Sequence, residues 1–189
     1  MKTYASTTTQ RHPNQLVLDA LKLVRRGTRA LDVGAGSLCD SRLLLSAGLQ
    51  VDAVDVDPSF VACARRIDHP RLYAVCEDIR DLQLEANIYC LIVAIHVLPF
   101  IPRSQLAAVC AKLVASLDAG GALCATFFGI RDEWAQPQSP MSFVTPDDVT
   151  RLFPQMALAF LKDYQYAGRD VHGNVKQWHV IRVIFRKPD

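Results

Sequence analysis

The segment from Ala30 to Asp57, ALDVGAGSLCDSRLLLSAGLQVDAVDVD, constrains the fold more than any other part of the chain. An apolar run ends in two glycines, Gly34 and Gly36. A short helical stretch follows and stops at Gly48, and a second apolar run ends in the acids Asp55 and Asp57. Strand, glycine turn, helix and strand in that order build a parallel pair with its crossover helix. With no Cβ at Gly34 and Gly36 the backbone can turn sharply, and a ligand can lie against N–H groups at the start of the next helix. Asp55 closes the second strand at the distance of a carboxylate that accepts hydrogen bonds from ribose hydroxyls. The segment predicts a nucleotide pocket.

The rest of the chain repeats this alternation. Pro13 opens a helix with Leu16, Val17, Ala20, Leu21 and Val24 on one stripe, and Arg29 to Val33 form the first strand. Helices are expected over Leu38–Ala47 and after the Asp57-Pro58 start signal, and strands over Gln50–Val56 and Leu72–Cys76. Ile88 to Ile95 is apolar at nearly every position, the pattern of a strand buried on both faces near the middle of a parallel sheet. From Pro102 the sequence repeats Leu106, Val109, Cys110, Leu113, Val114 and Leu117 at helical spacing, Gly120-Gly121 end that connection, and Ala122–Phe128 is the fifth strand. Residues 129–144 are read as a loop. Thr145-Pro146-Asp147-Asp148 starts a helix to about Phe153, and Met156–Tyr166 and Lys176–Arg186 flank the turn at 170–174 as an antiparallel hairpin on the sheet edge. The expected architecture is α/β, a three-layer sandwich with a mostly parallel seven-stranded sheet, helices on both faces and a C-terminal antiparallel hairpin. Residues 1–189 are read as one domain, with 1–12 a flexible segment or lid, since 189 residues that are 50% apolar suffice for one substantial core.

Charge and cysteine usage exclude several classes. The net charge is +2, and the cations are scattered, with Arg25-Arg26, Arg65-Arg66 and Arg186-Lys187 as isolated pairs. A basic stripe that could follow a phosphate backbone is missing, which argues against a nucleic-acid partner. The first residues have no apolar signal core, and the densest apolar run, Tyr89–Ile101, is too short for a membrane span, so a cytoplasmic protein is expected. The six cysteines at 39, 63, 76, 90, 110 and 124 fall into no CxxC or Cys/His ligand spacing, and neither a metal site nor a disulfide framework is expected. Cys39, just after the glycines, is the one thiol placed for reactivity.

The glycine pattern narrows the nucleotide. A dinucleotide fingerprint needs a glycine where this chain has Cys39, and a P-loop needs a Gly-Lys-Ser/Thr that is absent. A ligand with ribose and no pyrophosphate remains, and S-adenosylmethionine fits. Asp55 would serve its ribose, Asp78 its adenine amino group, and Val56 and Ile79 the apolar walls. At these residues the chain resembles the class I S-adenosylmethionine-dependent methyltransferases, a Rossmann-like family. LDVGAG looks like the first motif, AVDVDP the ribose-side acid and CEDI the base-side acid, with YCLIVAIHVLPF and LDAGGALCATFF as the fourth and fifth strands. The resemblance implies that Gly34, Ala35 and Gly36 line the methionine and ribose portions, that Asp55, Val56, Asp78 and Ile79 hold the nucleoside, and that Ile95 faces the methionine part. Asp32 and Ser41 complete the candidate cofactor set. Leu38 stands where the family often has a third glycine and Cys90 where it often has an acid. Asp40-Ser41, the FFG-RDEW segment and KQWHVIRVIFRK look most similar to tellurite-resistance-type and other small-molecule methyltransferases.

The implied reaction is an in-line methyl transfer, in which the protein positions, desolvates and deprotonates the acceptor. The fourth strand runs into Ile95-His96-Val97-Leu98-Pro99-Phe100, not the Asn/Asp-Pro-Pro-aromatic motif of amino-nitrogen methylation, which argues against DNA adenine. His96, past the carboxyl end of a central strand, is the candidate general base, with a structural histidine as the plain alternative. Asp132 is a second catalytic candidate. It lies with Arg131, Glu133 and Trp134 in the loop over 129–144, taken as the acceptor side. Arg131, Trp134, His96, His179 and Arg11 are the acceptor contacts considered, Arg11 with His12 as part of an N-terminal lid. His179 alternates with Ile181, Val183 and Phe185, so a core position is favoured for it, while Trp178 shares the other face with Val180 and Ile184. A small-molecule acceptor is expected, with the protein a monomer or homodimer. Two alternatives stay open: a non-catalytic cofactor-binding partner or sensor, and a nicotinamide enzyme on the same sheet.

Overall fold

The computed structural model describes residues 14–24 and 27–189. Its elements are α1 (Gln15–Leu21), β1 (Arg29–Val33), α2 (Cys39–Ser46), β2 (Gln50–Asp55), α3 (Ser59–Ile67), β3 (Leu72–Cys76), β4 (Tyr89–Ala94), a 3₁₀ turn (Leu98–Phe100), α4 (Arg103–Ser116), β5 (Leu117–Gly129), β6 (Phe143–Val144), α5 (Pro146–Leu152), β7 (Ala157–Arg169) and β8 (Val175–Arg186). The sheet order is β3-β2-β1-β4-β5-β8-β7, with β6 added beside the end of β5. Pairings from β3 through β5 are parallel, and β8 runs antiparallel to both β5 and β7. The α/β class, the parallel sheet and the C-terminal hairpin agree with the sequence pattern.

Alternation along the central strands divides the core. Leu31, Val33, Ile92, Ala94, Phe127 and Val183 face α4 and α5, whose Leu106, Val109, Leu113 and Val149 are buried there. Ala30, Val51, Ala53, Val93 and Ile184 face the layer that holds Leu16 and Val17 of α1, Leu44 and Leu45 of α2 and Phe60 of α3. β4 is buried at every position, as an apolar run without alternation requires. At the amino edge of the sheet Asp52 Oδ2 accepts from Tyr89 Oη at 2.6 Å and from Arg29 Nε at 2.9 Å, which ties the starts of β1, β2 and β4 together.

Several boundaries differ from expectation for identifiable reasons. An eighth strand exists because Phe143 and Val144, inside the expected loop, pair with Phe128 and Gly129. β5 begins at Leu117, and Gly120-Gly121 do not end it: Gly120 adopts φ +70°, and the register shifts between Tyr89 and Leu91 on the neighbouring strand. The glycines shape an irregularity inside a long strand, a place where Gly is tolerated for its conformational freedom. The first helix stops at Leu21 instead of Val24. α5 starts as its sequence dictates, with a reciprocal capping box between Thr145 and Asp148.

Candidate active site

The carboxyl ends of β1, β2 and β4 and the turn after β3 open onto one cavity of about 650 Å³, within the range of small-molecule sites. Gly34 lines it with φ +70°, and a Cβ there would come within 2.8 Å of Val97 Cβ. The glycine loop is therefore pressed against the end of β4. Its backbone donors are not bare, as the sequence suggested. The N–H groups of Gly34 and Ala35 donate to Val54 O at 2.8 and 3.1 Å, that of Gly36 to Asp55 Oδ2 at 2.8 Å, and that of Leu38 to Ala35 O at 2.7 Å. The loop offers close approach, while its amides fasten β1 to β2.

Leu38 stands in the left-handed region, φ +63°, with its side chain fully buried. That conformation costs a non-glycine residue about 1–2 kcal/mol, and burial of a leucine side chain, about 1.5–3 kcal/mol, offsets it. Asp32 and Ser41 lie beneath the loop and do not line the cavity. Ser41 Oγ donates to Asp32 Oδ2 at 2.5 Å, and burial pushes the Asp32 carboxyl up to about 7. Their role is to support the loop.

Asp55 does line the cavity. Its two oxygens accept from the amides of Gly36 and Asp57, both at 2.8 Å, so the carboxylate is fixed in orientation with further lone pairs able to accept from a ligand. Val56, Asp78 and Ile79 line the cavity beside it, the side expected for the base. Arg80 grips Asp78 on both oxygens and holds its carboxyl below the usual carboxylate range. Lys112 of α4, which the sequence reading passed over, donates to the carbonyls of Ile79, Arg80 and Leu82 at 2.9, 2.8 and 3.0 Å. It pins the base-side turn from behind.

At the end of β4, Ile95, His96 and Val97 line the cavity. His96 has φ +55°, an uncommon conformation for a non-glycine residue that histidine adopts more readily than most. Its N–H donates to Thr126 Oγ1 at 2.7 Å, and its Nδ1 lies 3.4 Å from the same oxygen. The unusual backbone and the threonine together fix the imidazole that lines the cavity.

The far half is walled by aromatic rings. Phe100, Phe128, Trp134, Tyr166 and Trp178 line it, with the hairpin tip Arg169–His172 alongside. Only Trp134 of the 129–144 loop takes part. Asp132 is buried and accepts from the amides of Trp134 and His179, each at 3.0 Å, and pairs with Lys176. Arg131 turns toward Asp163 at 3.5 Å and donates its amide to His179 Nδ1 at 3.0 Å. His179 is buried, and its Nε2 meets Asp163 Oδ1 at 2.5 Å. A Cβ on Gly129 would come within 2.0 Å of the His179 ring, so the loop starts on bare backbone laid against that imidazole. Asp132, Arg131 and His179 thus brace the aromatic wall without lining the cavity: His179 points to the opposite side of β8 from Trp178 and holds Arg131, while Asp132 is anchored through Lys176. Tyr166, Trp178 and the hairpin tip were missed as site residues; the alternation of Tyr164 with Tyr166 and of Lys176 with Trp178 was the available signal. Arg11 and His12 fall outside the described residues. Among the described residues no three His, Cys, Asp or Glu side chains group as metal ligands.

The family model described as a methyltransferase domain matches residues 30–121. A search of curated proteins finds no match. Among solved structures the chain is similar to TehB from Haemophilus influenzae (TM-score 0.76, 19% identity, 92% of this chain and 62% of that one). It therefore spans about six tenths of the length of that protein. A 1,6-didemethyltoxoflavin-N1-methyltransferase from Burkholderia thailandensis, with S-adenosylhomocysteine bound, gives a TM-score of 0.72 at 20% identity over 93% of this chain and 78% of that one. The N-methyltransferase NodS from Bradyrhizobium japonicum WM9, also with S-adenosylhomocysteine, gives 0.69 at 18% identity over the whole of both. Gly34, Gly36, Asp55 and Asp78 all lie inside the stretch that matches the methyltransferase-domain model, and the solved structures share the fold.

Proposed function

We propose that the protein transfers a methyl group from S-adenosylmethionine to a small-molecule acceptor bound against the aromatic wall. The observation that carries this reading is the single cavity that runs from Gly34, Asp55 and Asp78 past His96 to Trp134 and Trp178. When bound, the cofactor supplies a sulfonium-activated methyl group. Asp55 would hold the ribose, Val56, Asp78 and Ile79 the base, and Ile95 the methionine portion. His96 takes the proton that the acceptor loses as its lone pair bonds to the methyl carbon, while the electrons of the broken bond stay on sulfur. Thr126 positions His96 for this step. The aromatic rings exclude water, which raises the nucleophilicity of an ionised acceptor.

The aromatic lining of the acceptor half supports a small acceptor, as does the small-molecule methyltransferase among the structural neighbours. Six free cysteines suit the reducing cytoplasm. No described helix is long and apolar enough to cross a membrane. Isothermal titration with S-adenosylmethionine and S-adenosylhomocysteine tests the pocket, with micromolar binding to each expected. Folded protein that gives no heat with either would sink the reading. Tight binding with no methyl transfer across thiols, phenols, amines and chalcogen oxyanions would instead mark a cofactor sensor.

A further inference from the structure

Lys176 Nζ sits 3.7 Å from the ring centroid of Trp134 and 3.7 Å from that of Trp178, with Phe128 at 5.5 Å. The two indoles stand 5.2 Å apart at 63°, forming an aromatic corner of the kind that binds cations. Here the chain fills that corner itself. The Lys176 side chain is 3% exposed and its partner Asp132 is 0% exposed, so the ion pair lies behind the wall. A cation on one face of a π system withdraws density from the other face. The cavity-side faces of Trp134 and Trp178 are therefore poor seats for a second cation and good ones for an electron-rich ring.

Three further features point the same way. Tyr166 lies nearly parallel to Trp178, at 15° and 6.4 Å, so the wall continues as a flat surface along the hairpin. Trp178 Nε1 is buried with no hydrogen-bond partner among the described residues, a donor that a heteroatom on a bound ring would satisfy. Asp170, the acid of the hairpin tip that lines the cavity, is committed to its own turn, accepting from the amides of His172 and Asn174, each at 2.9 Å. A cationic acceptor finds little compensation here.

We propose that the acceptor is a planar aromatic or heteroaromatic molecule, uncharged or anionic, carrying a hydroxyl or thiol as the methylated group, and that cationic acceptors are excluded because Lys176 already occupies the seat between Trp134 and Trp178. This rests on the methyltransferase reading of the same cavity. In the reaction the ring O–H or S–H gives its proton to His96, the heteroatom bonds to the methyl carbon, and the cofactor's sulfur retains the electron pair.

The test uses the full chain saturated with S-adenosylhomocysteine, so that loss of cofactor binding is seen separately as failure of the underlying reading. Calorimetric titrations with 4-hydroxyquinoline, 2-naphthol, cyclohexanol and benzyltrimethylammonium compare flat, non-flat and cationic probes. At least one of the two aryl probes should bind at least tenfold more tightly than cyclohexanol, with no saturable heat from the ammonium. Trp178→Leu should weaken the aryl probe at least tenfold and leave S-adenosylhomocysteine affinity unchanged. Lys176→Met alone strands Asp132, so the double variant Lys176→Met with Asp132→Asn is used, and it should gain benzyltrimethylammonium binding. Tighter binding of the ammonium by the natural chain, equal binding of cyclohexanol, no binding of either aryl probe by cofactor-loaded protein, or a folded double variant that gains no ammonium affinity would each overturn the proposal.

Discussion

The two halves of the cavity are built from different materials. The cofactor half is mostly backbone and carboxylate: strand ends adjacent in the sheet, a glycine loop whose amides tie β1 to β2, and Asp55 held by two N–H groups. The proposed acceptor half is mostly side chain, drawn from β4, β5, the following loop and the hairpin, and braced by the buried Asp132–Lys176 ion pair and the Asp163–His179 hydrogen bond. A backbone cradle recognises a ligand common to many proteins, whereas a wall of side chains can be rebuilt one residue at a time. The contrast teaches where constancy and specificity are stored in this fold.

The largest expected effect falls on the acceptor half. Lys176→Met leaves Asp132 buried and unpaired, and should destabilise the protein by about 3–5 kcal/mol in urea unfolding. A loss below about 1 kcal/mol would mean that the wall does not depend on its buried pair. On the cofactor side the corresponding buried charge acts in the opposite sense. Asp32 has its folded pKa raised to about 7 from 3.8, so the folded state keeps the proton that the unfolded state releases. Stability from this group is fully present below about pH 4, falls as pH rises, and is lost above about pH 7. Asp32→Asn should remove that slope and raise stability at pH 8 by up to about 4 kcal/mol. Denaturant midpoints across pH 4–8 check it, and an unchanged slope would assign the pH dependence elsewhere.

His96 lies at the boundary, so its substitution separates chemistry from binding. His96→Gln should lower kcat by roughly 100-fold, the usual scale of a lost general base, with cofactor affinity unchanged. If cofactor affinity falls with kcat, His96 belongs to the cradle. Asp55→Asn should weaken S-adenosylmethionine by about 2 kcal/mol, roughly 30-fold in Kd, through loss of charged hydrogen bonds to ribose. Aryl-probe binding to protein held saturated with S-adenosylhomocysteine should stay the same, and a parallel loss there would erase the distinction between the halves.

Legibility in sequence followed the same division. Gly34, Gly36, Asp55 and Asp78 are placed by strand ends that recur at short intervals, so period and punctuation alone put them together. Leu38 at the third-glycine position was visible as a departure, and its left-handed φ shows that the backbone kept the glycine's conformation while the side chain went to the core. The acceptor wall was hidden because Phe128, Trp134, Tyr166 and Trp178 meet only through the β7–β8 register and the packing of the loop after β5. Asp132 and Arg131 read as site residues because an exposed charged loop is the default place for them, yet burial beside Lys176 and His179 turned them into braces. Gly120-Gly121 read as a terminator because glycine pairs usually are, and nothing local reveals that a strand continues through them.

The contact between Gly34 and Val97 joins what the division separates. Any side chain at position 34 would push on the residue next to His96, so a defect in the glycine loop is felt as a displacement at the base. Position 34 thus answers to two clients at once. The hairpin can change side chains without touching the loop, whereas a change at the glycine is felt at both halves of the cavity.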